Sequence, residues 1–413
     1  MKKSLLAVAA IGAFASAAQA QSSVTVYGIL DVGYSGGHAK ATSGATSANT
    51  TGNQFGGGVG AESTNRIGFK GNEDLGGGTS AFFTLESSVT TDGNSILGTS
   101  GTGMRQAFVG LGKKGLGKAA VGTQYTPMFT NVSATSPGQL NNVIGDAIYG
   151  ATNSASYATL STAQSAATLS GASASGGTDV GFTVRTANML RFDSDKFAGF
   201  GASAFYSLNN DNINQTNNTG ATTGYTGGRN DRDGYGLGLD YTWNKLFVAA
   251  NWQSLKATNP YTQAAPAAAT VGAPQIFGSS ANTGTNVKDN QWFVGASYDF
   301  GILKAYAQYV NRKATSQITA TEYGSRTAQQ IGVRSFITPT VEAWASAGLG
   351  RYQAFGVASP TANFNSYQLG SNYWLSKRSN LYAIYGASNT SSASGNNNTF
   401  NAQQYAVGVR HTF

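Results

Sequence analysis

Cysteine is absent from the chain, so disulfides and thiolate chemistry are both excluded. Histidine is nearly absent: only His38 and His411 occur in 413 residues. A hydrolase needs a base held beside its nucleophile, commonly a histidine. His38 is expected in a loop and His411 on a lipid-facing pattern, so no histidine dyad is expected; carboxylate chemistry stays open. Charge is scarce too, at 11% of residues against about 25% in ordinary soluble domains. After the first twenty residues, no run is apolar enough to span a bilayer as a helix, which takes about 20 residues.

Glycine, at 55 residues, and aromatics, with 20 tyrosines and 21 phenylalanines, are abundant. They fall in alternating patterns. Within 401–413, Tyr405, Val407, Val409, His411 and Phe413 share one strand face, and Ala406, Gly408, Arg410 and Thr412 the other. A bulky apolar face opposite a small polar one suits a strand between lipid and water. Tyr235, Leu237, Leu239, Tyr241 and Trp243 alternate in the same way with Gly236, Gly238, Asp240 and Thr242. Leu246, Val248, Ala250 and Trp252 repeat the pattern. So do Trp292, Val294, Ala296, Tyr298 and Phe300 against Gln291, Gly295, Ser297 and Asp299. Trp and Tyr recur at the ends of these runs, as interfacial girdles require.

Sixteen strands are predicted, starting near residues 23, 60, 78, 102, 116, 180, 197, 233, 246, 288, 302, 322, 339, 363, 379 and 400. Short polar turns are expected at 72–78, 113–115, 193–196, 244–245, 299–302, 338–340 and 376–379, and long loops at 35–59, 126–179, 209–232, 256–287 and 387–399. The fold class is therefore all-β: a sixteen-stranded antiparallel transmembrane β-barrel with short periplasmic turns and long extracellular loops. An even count places both termini on the periplasmic side. The long loops could also be read as disordered linkers, but they recur in step with strand pairs.

The start of the chain reads as an export signal. Met1-Lys2-Lys3 is basic, Leu5 to Ala18 is an apolar run, and Ala18-Gln19-Ala20 is a cleavage pattern. Residues 1–20 are expected to be a cleaved signal peptide and 21–413 the barrel. Loss of Lys2 and Lys3 takes the formal charge from +8 to +6. That mild basicity suits anionic lipid or anionic solutes without demonstrating either. Gly56-Gly57-Gly58-Val59-Gly60 lacks the Gly-Lys-Ser/Thr of a phosphate loop, so no nucleotide site is expected.

Several segments carry a resemblance to a known family. They are Ser22-Ser23-Val24-Thr25-Val26-Tyr27-Gly28, Asn65-Arg66-Ile67-Gly68-Phe69-Lys70-Gly71-Asn72-Glu73-Asp74-Leu75-Gly76, Arg105-Gln106-Ala107-Phe108-Val109-Gly110-Leu111, Val121-Gly122-Thr123-Gln124-Tyr125-Thr126-Pro127 and Val407-Gly408-Val409-Arg410-His411-Thr412-Phe413. With them the chain resembles a general porin of the trimeric, sixteen-stranded Gram-negative family, in its β-proteobacterial branch. The resemblance spans the mature chain. It implies an outer-membrane homotrimer, contact with lipopolysaccharide, and Phe413 as the insertion signal read by the barrel-assembly machinery. It also implies a third long loop folded into the barrel against a basic wall. No enzyme activity, cofactor, metal or nucleic-acid partner is implied.

The expected activity is a water-filled channel for small hydrophilic solutes and inorganic ions. By resemblance, Arg66, Arg105 and Arg185 match the family's three constriction arginines. Arg66 and Lys70 share a strand face opposite Ile67 and Phe69, which points both inward. Arg185 is read inward because Phe182 and Val184 lie opposite it. Asp146, in Ile144-Gly145-Asp146-Ala147, is the one acid of the third loop expected to project into the constriction; Asp179 adjoins the next strand. The first-strand lysine of many members has no counterpart here, since Tyr27-Gly28 is followed by Ile29 and then Asp31. A net positive throat predicts weak anion preference. Three other readings are a substrate-specific channel, a barrel enzyme and an adhesive barrel. They would show, respectively, saturable block by one solute, hydrolysis by the folded protein, and no swelling of liposomes in small sugars.

Overall fold

A computed structural model describes residues 23–43, 46–56, 60–91, 103–149, 181–218, 224–258, 287–317, 323–355, 362–391 and 399–413. The expected signal peptide and Asp179 lie outside the described residues.

The described chain is almost wholly strand: β1 (Ser23–Ser43), β2 (Thr46–Phe55), β3 (Arg66–Gly76), β4 (Thr79–Ser88), β5 (Met104–Lys113), β6 (Gly117–Tyr125), β7 (Arg185–Ser194), β8 (Phe200–Asn218), β9 (Gly224–Trp243), β10 (Leu246–Thr258), β11 (Val287–Asp299), β12 (Lys304–Ser316), β13 (Tyr323–Phe336), β14 (Val341–Phe355), β15 (Ala362–Trp374), β16 (Ser379–Thr390) and β17 (Thr399–Thr412). One helix, α1 (Pro127–Thr135), follows β6.

From β3 to β17 each strand pairs antiparallel with the next. The ring closes where β17 meets β1, from Ile29↔Thr412 to Thr42↔Thr399. Phe413 extends the seam, exchanging backbone bonds of 3.1 and 3.2 Å with Gly28. The other edge of β1 has two partners in turn. Its first residues pair with β3, Ser23↔Asn72 to Ile29↔Arg66, and its later ones with β2, Tyr34↔Phe55 to Ser43↔Thr46. β2 and β3 thus occupy one position in the wall, and the closed barrel has sixteen strands. Closure gives each strand of the ring, β1 and β3 to β17, a neighbour on both sides, as hydrocarbon requires.

The outer face follows the alternation. Tyr235, Leu237, Leu239, Trp292, Val294, Tyr405, Val407 and Val409 are all exposed on it, while Gly236, Gly238, Gln291, Gly295 and Ala406 are buried behind them. The inner face breaks the expected rule of small and polar residues. Phe293, Val310, Ala328 and Phe364 point inward and are buried, packed with Met128, Val132, Ala147 and Ile148 from the segment after β6. These four positions are apolar because that segment, not water, covers them.

Several boundaries differ from the sequence expectation. The second wall strand starts at Arg66, not near 60, because residues 60–65 turn inward. There the Ser63 amide donates to Asp31 Oδ2 at 2.6 Å and Tyr382 Oη donates to Asp31 Oδ1 at 2.6 Å. The sixth wall strand, β7, starts at Arg185, not near 180. Parts of the expected loops at 35–59 and 209–232 continue as paired strand, since neither Asn, Thr nor Gly removes a ladder donor. His38 therefore lies in β1 rather than a loop, with Nδ1 3.0 Å from Thr51 Oγ1. Its register partner Gln403 is eight residues from His411 on β17, about 27 Å along the strand.

Candidate functional site

The segment after β6 begins with a capped helix. Thr126 Oγ1 accepts from the Phe129 amide at 3.2 Å, and Pro127 sits at the first turn, where a missing N–H costs nothing. From there residues 126–149 run over the inner wall, held by glutamines on four strands, and glutamines on two more hold Thr183, where the chain returns. Gln308 Nε2 (β12) donates to the Val132 carbonyl at 3.1 Å. Gln330 Oε1 (β13) accepts from the Ala147 amide at 2.7 Å. Gln368 Nε2 (β15) donates to the Val143 carbonyl at 2.6 Å, and Gln404 Oε1 (β17) accepts from the Ile144 amide at 3.1 Å. Gln253 (β10) donates to Gln291 (β11) and to the Thr183 carbonyl, and Gln291 Oε1 accepts from the Thr183 amide at 2.7 Å. A glutamine carries both a donor and an acceptor, so it can serve an N–H or a C=O as the segment passes. Gly386 on β16 lies bare beneath the Ile144 carbonyl, which a Cβ there would strike.

The wall of β3 to β7 carries the basic side chains. Glu86 on β4 is their centre. Arg105 Nε donates to Glu86 Oε1 at 2.7 Å, and Arg66 Nη1 lies 4.0 Å from the same oxygen. Tyr27 Oη donates to Glu86 Oε2 at 3.0 Å, and the Lys70 ammonium stands 5.3 Å from the centre of the Tyr27 ring. Arg105 Nη2 also donates to Tyr125 Oη at 2.6 Å. The Arg185 guanidinium lies 5.6 Å from the centre of that tyrosine ring, which stacks on Phe129 at 4.2 Å. Register explains the grouping: Gly68 pairs with Tyr27 on one side and Glu86 on the other, so the bare glycine lets their side chains meet. Four cations and one carboxylate leave the cluster with a formal charge of +3.

The structure brings Arg66, Lys70, Arg105 and Arg185 together, but by a route partly different from the sequence argument. Phe182 and Val184 do not face lipid opposite Arg185. Both are buried in the inner apolar cluster with Met128 and Phe293, and Arg185 meets Tyr125 through the register pair Tyr125↔Arg185. Asp146 does not project from the loop. It is buried, and Oδ1 accepts from the Ile148 and Tyr149 amides at 2.8 and 2.9 Å. Three residues account for this turn: Gly145 has φ +109°, Arg326 Nη2 donates to the Ala147 carbonyl, and Asp146 caps the amides that follow. Burial pushes the Asp146 carboxyl up from its ordinary pKa, while the two amide donors and Arg326 act against that. Sequence reasoning missed Glu86 and the six glutamines. Glu86 had a signal in the inward parity it shares with Thr84; the glutamines had none, because water or a loop satisfies them equally. Among the described residues no group of three or more metal-ligating side chains occurs.

The comparisons with known proteins agree with this architecture. A family model described as Gram-negative porin matches residues 7–394. The chain belongs to that family. The porin is 29% identical to an outer membrane porin protein of Bordetella pertussis, with each chain covered in full. Among solved structures it resembles the anion-selective porin from Comamonas acidovorans, with TM-score 0.61, 21% identity, and coverage of 95% of this chain and 100% of that one. It also resembles the trimer form of OmpT from Vibrio cholerae, with TM-score 0.58, 14% identity, and coverage of 95% and 99%. Members of the family are channels rather than enzymes. This porin is an outer-membrane multi-pass barrel, and a ring of sixteen strands is wide enough to leave a water-filled channel. Solutes diffuse through it without crossing hydrocarbon, and no energy source is needed.

Proposed function

We propose that the channel narrows where the basic cluster faces the segment after β6, and that it passes small hydrophilic solutes with a weak preference for anions. The observation that carries this reading is the gathering of Arg66, Lys70, Arg105 and Arg185 around the single carboxylate of Glu86. Low-dielectric walls focus field lines, so a formal +3 raises the local anion concentration. The anion-selective description of the Comamonas relative lends the same sign. Reversal potentials across planar bilayers in a KCl gradient test it. The expected result is Cl⁻ permeability above that of K⁺; a clear K⁺ preference overturns it. Saturable block by one solute would favour a substrate-specific channel instead.

The same reading makes the long-loop end the cell exterior and the short-turn end the periplasm. It makes residues 1–20 a cleaved signal peptide and Phe413 the mark for barrel-assembly machinery. The porin assembles as a homotrimer in contact with lipopolysaccharide; the trimer form of the OmpT relative supports the assembly. Three equal closure steps in single-channel records are expected, and a single closure step rejects the trimer.

A further inference from the structure

A cavity of about 80 Å³ lies at the short-turn end of the lumen, between α1 and the wall of β7 to β9. None of Arg66, Lys70, Arg105 and Arg185 lines it. Its walls carry two ion pairs instead. Arg191 Nη2 stands 2.6 Å from Asp193 Oδ1, and Lys196 Nζ stands 2.9 Å from Asp240 Oδ2. Asp193 is on β7 and Asp240 on β9, so about 10 Å of sheet separates their backbones. On β8 between them, Ser203 pairs with Asp193 and Gly201 with Asp240. A Cβ on Gly201 would stand 2.6 Å from Asp240 Oδ1. The bare glycine therefore lets the Asp240 carboxylate lean across β8 toward β7. The four formal charges cancel.

Both ends of the cavity have hydrogen-bonding capacity to spare. A carboxylate offers about four acceptor sites, and among the described residues Asp193 is met by Arg191 and Asp240 by Lys196. Deeper in, Asn251 on β10 is buried, and its Nδ2 has no acceptor among the described residues. Its Oδ1 accepts from Asn131, which lines the cavity. A Cβ on Gly238 would stand 2.3 Å from that Nδ2, 2.6 Å from Ser203 Oγ and 3.2 Å from Pro127 Cβ, and Ser203 and Pro127 line the cavity too. A buried donor without an acceptor is costly and calls for one. Gly238 and Asp240 are two residues apart on β9, about 7 Å. A spare donor thus lies at one end and spare carboxylate acceptors at the other. A simple anion would meet Asp193 and Asp240, and a simple cation would leave Asn251 unmet. We propose that the cavity binds small zwitterions of the amino-acid kind, with the ammonium between Asp193 and Asp240 and the carboxylate toward Asn251 Nδ2. Neither ion pair has to break. The volume is that of about three waters at about 30 Å³ each, which suits a ligand as small as glycine. The site deepens the reading of a lumen that small hydrophilic solutes enter; it rests on that reading and not on the ion preference.

The test is equilibrium binding to the full-length porin folded in detergent micelles, read by saturation-transfer NMR with glycine as the probe. Acetate keeps the carboxylate and lacks the ammonium; methylammonium does the reverse. Each loses hydrogen bonds between charged groups, so each should bind more weakly than glycine by about tenfold or more. Lys196→Gln with Asp240→Asn removes one ion pair without leaving a lone charge, and should weaken glycine binding by a similar factor. Glu73→Gln with Lys377→Gln removes one charge of each sign outside the cavity and should bind glycine like the wild type. Acetate or methylammonium binding as tightly as glycine overturns the proposal, the first by reducing the site to a plain anion site. Unchanged glycine affinity in the Lys196 and Asp240 variant also overturns it, as does equal weakening in the control. The comparison of the three probes needs only the wild type, so a variant that fails to fold leaves the test intact. Conductance in planar bilayers reports on the open lumen separately: a conducting porin that binds no glycine refutes this site alone.

Discussion

Arg105 and Glu86 are joined across β4 and β5 by a 2.7 Å hydrogen bond, at a position where both side chains are nearly withdrawn from water. Glu86 pairs in register with Gln106, and the ladder then slips so that Ser87 meets Met104. That irregularity leaves Arg105 opposite no residue and frees its side chain to reach back to the carboxylate. Arg66, less buried than Arg105, approaches the same oxygen at 4.0 Å. Glu86 therefore keeps two guanidiniums side by side that would otherwise repel.

Glu86 tempers the positive charge that it organises. Glu86→Gln keeps an acceptor for Arg105 but takes the cluster from a formal +3 to +4. The Cl⁻-over-K⁺ permeability ratio should rise, read from reversal potentials, while heat stability falls as the arginines lose their counter-charge. A shift toward K⁺ would show that this cluster does not set the sign of selectivity.

The converse variant removes positive charge. Arg66→Ser with Arg105→Ser leaves Lys70, Arg185 and Glu86, for a formal +1. Anion preference should weaken markedly. Single-channel conductance should change by less than it does on deletion of 137–149, because that segment fills barrel volume whereas two side chains do not. Equal conductance changes in both variants would contradict this division of labour.

Much of the wall was legible because its chemistry is binary. Tyr235, Leu237 and Leu239 against Gly236 and Gly238 can only be lipid-facing and inward-facing in turn. Arg66 and Lys70 inherit their direction from the same parity. The inner lining was less legible. Phe293 and Phe364 look misplaced until Met128, Val132 and Ala147 cover them, across a separation of 146 residues or more in sequence (293 − 147 = 146). Asp146 illustrates the limit: an acid in a loop reads as a free charge, and only the fold shows Ile148 and Tyr149 amides taking its oxygen. Composition says which groups are available, but not which of them the backbone has already used.

The glutamines hold residues 126–149 and Thr183 through buried backbone amides and carbonyls. Removing Gln291 or Gln368 strands buried polar groups, at about 1–3 kcal/mol each. Gln291→Ala and Gln368→Ala should each lower the denaturation temperature in detergent and add open-channel noise as the segment loosens. Gln368→Glu preserves the size but replaces the donor with an acceptor facing the Val143 and Ile144 carbonyls, and should be worse than alanine. Quiet channels of wild-type stability in all three variants would mean that the segment is held by its apolar contacts alone.

Asp146 makes that hold depend on pH, in a direction opposite to most carboxylates. Burial is the largest influence and raises its pKa; the Tyr149 and Ile148 amides and Arg326 oppose it without cancelling it. A carboxyl whose folded pKa exceeds its unfolded value favours the folded state in its protonated form. Its contribution is complete below the unfolded pKa and is lost as pH rises through the folded one. The segment should thus be held more firmly in mild acid than in mild alkali. Open-channel noise and proteolysis within 126–149 should both decrease on acidification. Asp146→Asn cannot ionise and retains an acceptor oxygen, so it should flatten that pH dependence while leaving the reversal potential close to wild type, because the buried carboxylate does not face the permeating ions. A large selectivity shift in Asp146→Asn would return this residue to the channel wall, and an undiminished pH dependence would assign the titration to another group.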